Sequence, residues 1–237
     1  MISDCFFRST RPTLKWSGYF PAYDALLEPY LGKPITLVEV GVGRGGSLQM
    51  WRFFFGSAVR IVGIDIDPAT KQVERDGFEI FIGDQASPKF WQWFFERVGP
   101  VDVLIDDGGH SNLEQIVTVA ESIPHIQDGG VIIVEDTHTS YMDREFGTPN
   151  PYDFMHFAAH IVDLINDRNP EVTSPPKTRD NSRPRYIVWS PETRLMVAPD
   201  VLIFAALKPE KSGASAACAS ARLTWATAFA AAVAAVY

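Results

Sequence analysis

The chain has 237 residues, 46% of them hydrophobic and 21% charged, with a formal net charge of −8. That is enough for one large globular domain with short extensions, and the acidic balance, with no offsetting Lys/Arg cluster, excludes nucleic acid as an expected partner. Two cysteines, Cys5 and Cys218, lie near opposite ends; they form no disulfide framework or metal spacing and fit a cytoplasmic protein. No signal peptide is expected, and the apolar run 223–237 is mostly alanine and shorter than the roughly 20 residues a membrane span needs.

Residues 1–30 hold an aromatic-rich stretch, KWSGYFPAYD at 15–24, expected to cap the sheet or fold over a ligand. Five buried strands follow, at 35–41 (ITLVEVG), 60–66 (RIVGIDI), 78–84 (FEIFIGD), 101–106 (VDVLID) and 131–136 (VIIVED). Near-continuous β-branched and aromatic runs of this kind mark strands covered on both faces. Helices are predicted at 47–55, 88–97, 112–123 and 152–166. Alternating strands and helices imply right-handed βαβ units and a doubly wound, mostly parallel α/β sheet with helices on both faces. Residues 170–184 are proline-rich and read as an irregular loop, and 186–189 and 201–207 are candidate final strands. They would bring the sheet to seven. The organisation is therefore a cap at 1–30, a domain at 31–210 and a Ser/Ala-rich low-complexity tail at 211–237.

Ligands of such sheets bind beyond the carboxyl ends of the strands. There the first strand ends in Glu39, Gly41, Gly43, Gly46 and Ser47. The glycines fit the dinucleotide pattern G-x-G-x-x-G with Asp65 downstream, so an NAD-linked oxidoreductase is one reading. Glu39 favours another. An acid two residues before the first glycine suits a cationic ligand better than a pyrophosphate, and S-adenosylmethionine is cationic and has no phosphate. Asp65 is placed to accept from ribose hydroxyls and Asp84 from the adenine amino group.

The fourth strand runs into Asp106, Asp107 and His110, and the fifth into Glu135, Asp136 and His138. If the two strands are neighbours, their ends lie about 5 Å apart. Carboxylates gathered there need a cation, and an all-oxygen set suits Mg²⁺. Asp107, Glu135 and Asp136 are the candidate ligands. His110 is the candidate general base, with His138 its rival or an orienting partner. An acceptor hydroxyl acidified by the metal would then attack the sulfonium methyl.

The runs EVGVGRGGSLQMW, GIDIDP, GDQ, DDGGH and EDTHTSY, with KWSGYFPAYD before them, resemble the metal-dependent sugar O-methyltransferases of macrolide biosynthesis. They are also similar to the cephalosporin hydroxylase family, which shares that methyltransferase fold. The resemblance spans about residues 14 to 165. It implies a Rossmann-like fold and O-methylation of a sugar or glycosylated small molecule. The ligands it implies are Asp107, Glu135 and Asp136, with His110 as base. Cofactor contacts are implied from Glu39, Gly41, Asp65, Asp84 and Gln85, with Gly43, Ser47 and Asp106 in the same loops; Lys15, Tyr19 and Tyr23 would line the site. A homo-oligomer is compatible with this reading, and so is a non-catalytic homologue that keeps the cofactor site.

Overall fold

A computed structural model describes residues 1–142, 153–166, 195–198 and 201–205. The body of the molecule is a parallel sheet of β1 (Thr36–Val40), β2 (Arg60–Asp65), β3 (Glu79–Ile82), β4 (Val101–Asp106) and β5 (Ile126–Val134), in the order β3-β2-β1-β4-β5. The chain steps outward from β1 to β3, then returns to build β4 and β5 on the other side. The switch point, where such sheets open a crevice for ligands, therefore lies between β1 and β4.

Alternate residues of each strand face opposite sides, and each side has its own core. On one, Leu37, Ile61, Val103, Ile105 and Ile133 pack against α1 (Ile2–Arg8), α2 (Phe20–Leu27) and α3 (Gly46–Phe55). On the other, Val38, Val62, Leu104, Ile132 and Val134 meet α4 (Pro88–Val98), α5 (Asn112–Ser122) and α6 (Phe154–Asn166). The helices carry matching stripes: Leu48, Trp51 and Phe55 of α3, and Trp91, Phe94, Phe95 and Val98 of α4, are buried. That spacing of three and four is the helical period. Burying each such large side chain contributes roughly 1.5–3 kcal/mol.

Local chemistry fixes the helix ends. Gly45, at φ 82°, starts α3. Ser87 caps α4, and Ser111 with Glu114 forms a capping box on α5.

The five parallel strands fall where the sequence places them. β5 is longer than expected: it begins at Ile126 and passes through Gln127, Asp128, Gly129 and Gly130, residues that read as a turn. Val101 pairs with Ile126 and Val103 with Val131, so the register slips there. Pro68–Asp76, between β2 and β3, forms a 3-10 helix for which the sequence carries no periodic signal.

Beyond β5, Leu195–Ala198 (β6) and Val201–Ala205 (β7) pair antiparallel with each other, and β7 pairs with β5. The candidate strand at 186–189, the loop at 170–184 and the tail at 211–237 lie outside the described residues. No helix among the described residues is long and apolar enough to cross a membrane.

Candidate active site

The carboxyl ends of β1 to β5 border a cleft of about 470 Å³, a size typical of small-molecule sites. Its cofactor side is built by short-range turns. Gly41 donates to the Ile64 carbonyl at 2.8 Å and so extends β1 past its last residue. Gly41 sits at φ 90°, and a Cβ there would lie 1.9 Å from the Asp107 carbonyl oxygen, so only glycine fits. Asp65 accepts from the Gly43 N–H at 2.9 Å and from the Asp67 N–H at 2.9 Å. Asp84 is exposed and accepts from the Ala86 N–H at 2.8 Å.

The opposite side comes from the ends of β4 and β5. Pairing continues one step past both strands: Asp107 donates to the Val40 carbonyl, and Glu135 to the Asp106 carbonyl. Asp107 and Glu135 thus sit side by side at the switch point. Oxygen atoms of Asp107 and Asp136 and a ring nitrogen of His110 all lie within 4.8 Å of one another. His110 Nε2 is 3.5 Å from Asp136 Oδ2 and 3.9 Å from Asp107 Oδ1. Among the described residues, His110 (φ 60°) and Asp136 (φ 54°) are the two non-glycine residues in the left-handed region. Such backbone strain tends to gather at functional sites.

Glu135 is turned inward. Its side chain is 1% exposed, Lys15 Nζ lies 2.7 Å from Oε1, and the Tyr23 hydroxyl donates to the same oxygen. Lys15 Nζ is also 2.7 Å from Asp107 Oδ2 and 3.4 Å from Glu39 Oε1. Burial alone would lower the Lys15 ammonium, but Asp107 and Glu135 outweigh it and hold its pKa well above the usual lysine range. One ammonium does not neutralise this many acids. Burial pushes the Glu135 carboxyl up to about 8 against the pull of Lys15, and burial raises Glu39 likewise. Buried carboxyls whose charged forms are this costly, with hard oxygen donors at the mouth of the cleft, fit a site completed by a divalent cation such as Mg²⁺.

Of the residues singled out from sequence, Gly41, Gly43, Ser47, Asp65, Asp84, Asp107, His110, Glu135 and Asp136 line the cleft. Glu39 lies deeper than the residues that line the cleft. It is fully buried, its Oε2 accepts from the Ser47 hydroxyl at 2.7 Å, and the cation beside it is Lys15. Asp106 is 1% exposed and also lies behind the wall. Burial raises its carboxyl to about 6. Gln85 reaches the cleft, but its side-chain amide is spent on the protein: its nitrogen donates to Asp106 and Thr118, and its oxygen accepts from the Gly109 N–H at 2.9 Å. His138 stands outside the lining, with Nδ1 4.0 Å from Asp136 Oδ1. Sequence reasoning missed the role of Gln115, which donates to the Glu135 carbonyl at 3.0 Å. It also missed Thr139, whose hydroxyl lies 2.7 Å from the His110 carbonyl. Neither contact has a signature in a single sequence.

The sheet order, the glycine turn after β1 and the acids at the strand ends define a Rossmann-like α/β methyltransferase fold. The particular resemblance is to sugar O-methyltransferases. The chain is 29% identical over 195 residues to the mycinamicin VI 2''-O-methyltransferase of Micromonospora griseorubida, covering 78% of this chain and 47% of that protein. To the demethylmacrocin O-methyltransferase of Streptomyces fradiae it is 32% identical over 149 residues, 59% of this chain and 37% of the relative. Among solved structures, the MycE methyltransferase of mycinamycin biosynthesis, in complex with Mg and SAH, superposes with a TM-score of 0.69 at 27% identity. That match covers 91% of this chain and 56% of that one. The chain thus spans less than half the length of the first two relatives. No protein-family model matches it.

Proposed function

We propose that this chain is an S-adenosylmethionine-dependent, Mg²⁺-dependent O-methyltransferase acting on a hydroxyl of a sugar or glycosylated small molecule. The observation that carries this is the cluster of Asp107, His110 and Asp136 donor atoms within 4.8 Å of one another, in the same cleft as the glycine turn. MycE holds Mg and SAH, and in a further crystal mycinamycin VI, which supports the same pairing of methyl donor and metal here. The hydride transfer of an NAD enzyme has no task for such a cluster.

Gly41, Gly43, Ser47, Asp65, Asp84 and Gln85 form the cofactor wall, with Glu39 and Asp106 behind it. Asp107, Asp136 and Glu135 would hold the metal, whose positive charge would lower the pKa of an acceptor hydroxyl. His110, its Nε2 aimed into the cluster, takes the hydroxyl proton, and His138 is the alternative base. S-adenosylmethionine would supply the methyl group to the acceptor oxygen, its C–S bond breaking as the C–O bond forms and S-adenosylhomocysteine leaving.

Leu195–Ala198 and Val201–Ala205 are read as the sixth and seventh strands of the methyltransferase sheet. Residues 1–30 are read as its cap and 31–210 as the catalytic domain. We assign a cytoplasmic setting.

The test is transfer of labelled methyl from S-adenosylmethionine to a panel of glycosides, with Mg²⁺ or with EDTA. Transfer that requires Mg²⁺ supports the reading. Transfer undiminished in EDTA sinks it, as does failure of S-adenosylhomocysteine to raise the melting temperature.

A further inference from the structure

The segment before β1 reaches all three acids assigned to the metal. Lys15 Nζ is 2.7 Å from Asp107 Oδ2. The Tyr19 hydroxyl donates to Asp136 Oδ1 at 2.6 Å. The Tyr23 hydroxyl donates to Glu135 Oε1, which Lys15 also contacts. These donors recur every four residues. The 3-10 turn Ser17–Tyr19 runs directly into α2, so Tyr19 and Tyr23 sit one above the other on one face. Lys15 precedes them in extended chain.

On two of the acids the held oxygen is not the one that faces the cluster. Lys15 takes Asp107 Oδ2, and Asp107 Oδ1 is the atom facing His110 Nε2. Tyr19 takes Asp136 Oδ1, and Asp136 Oδ2 faces His110 Nε2. The Tyr19 oxygen also accepts from the Asp136 N–H at 3.2 Å, which pins the left-handed backbone of Asp136. The anchors are themselves fixed. Tyr19 is 2% exposed and Tyr23 fully buried; Tyr19 meets Tyr23 edge-on, and Tyr23 meets Trp51 edge-on.

We propose that Lys15, Tyr19 and Tyr23 form a clamp that presets the three carboxylates for the divalent ion, holding one oxygen of each and leaving the other oxygens of Asp107 and Asp136 turned to the metal. They are positioning residues. The clamp rests on the metal reading above, and outer partners of this kind set both the orientation of ligands and the affinity for the ion.

The test is calorimetric titration of the full chain with Mn²⁺ in saturating S-adenosylhomocysteine. Tyr19→Phe is expected to weaken Mn²⁺ binding about 10- to 100-fold, with S-adenosylhomocysteine affinity held within about twofold. Tyr23→Phe is expected near the low end of that range, because Lys15 still holds Glu135. Tyr30→Phe is the control. Its hydroxyl donates to the Gly129 carbonyl, away from the acids, and its Mn²⁺ affinity should match the wild type. Wild-type affinity in Tyr19→Phe overturns the clamp and leaves the metal reading standing. An equal loss in Tyr30→Phe overturns it too, because the effect then has nothing to do with the carboxylates. A wild type that binds no Mn²⁺ overturns the metal reading and the clamp with it.

Discussion

On the β1–β3 side of the cleft, the two acids that line it are held by backbone amides: Asp67 and Gly43 for Asp65, and Ala86 for Asp84. On the β4–β5 side they are held by side chains far away in the chain. Lys15 reaches Asp107 across 92 residues and Glu135 across 120, and Tyr19 reaches Asp136 across 117. The first rim is built from local turns with polar groups open to a ligand. The second is crowded with acids, only Glu135 of them fully buried, and is assembled by tertiary folding. One cleft thus joins a rim built largely from its own turns to a rim that needs the whole domain and, on the proposed function, a cation.

The largest expected effect separates the two rims. Asp107→Ala removes a proposed ligand, and with it several kcal/mol of transition-state stabilisation. Turnover should fall on the order of 10³-fold, and chelation of the wild type should do the same. S-adenosylhomocysteine affinity, measured by calorimetry, should change little. A matching collapse of cofactor binding would show that the rims are not independent.

The same contrast explains what the sequence reveals. All five parallel strands are legible because a strand buried on both faces is apolar along most of its length, as VIIV is, with acids such as Asp106 falling at the strand ends. The cofactor turn is legible because its glycines fall within one loop and Asp65 ends the very next strand. The first half of β5 is not, since Gln127, Asp128, Gly129 and Gly130 carry turn chemistry while pairing with β4 supplies their structure. Nor is α1, which has no side-chain cap bond; Asp24, 22 residues on, accepts from the Ile2 N–H instead. Glu39 was legible as an acid awaiting a cation, but not as the partner of a lysine 24 residues earlier. Asp107, Glu135 and Asp136 are legible as acids at the ends of two strands. That Glu135 faces Lys15 and Tyr23, while His110 joins the other two acids, depends on distant side chains that no local pattern records.

Lys15→Met tests the buried charge. It strands Glu39 and Glu135 without their counter-ion, which costs about 3–5 kcal/mol when one partner of a buried pair is removed. Urea denaturation in EDTA should show that loss, and Mg²⁺ should recover part of it. A variant as stable as the wild type would mean that the acids are neutralised without Lys15.

Gly41→Ala probes a residue that serves both rims. Its φ of 90° and the 1.9 Å approach of a Cβ to the Asp107 carbonyl make any side chain displace the metal loop as well as the cofactor turn. Strain of this kind costs about 1–3 kcal/mol. Here, unlike in Asp107→Ala, S-adenosylhomocysteine and Mn²⁺ affinities should weaken together. Loss of only one would place Gly41 on a single rim.

The smallest effect sharpens the comparison furthest, because it sets two equivalent devices against each other. Ser87 caps α4 behind the cofactor rim, accepting from the Phe90 N–H at 3.4 Å. Ser111 caps α5 behind the metal rim, accepting from the Glu114 N–H at 3.3 Å while Glu114 accepts from the Ser111 N–H at 3.0 Å. Each serine-to-alanine change should cost about 1 kcal/mol of stability, read as a similar fall in melting temperature. Their effects on turnover should differ. Ser111 directly follows His110, whose left-handed backbone has to be held against strain, so loosening that cap frees the candidate base to swing away from Asp107 and Asp136. Ser111→Ala should therefore lower kcat several-fold while Ser87→Ala leaves it unchanged. Equal kcat values would mean that His110 is held by Thr139 and the packed loop alone, and that the cap serves the helix only.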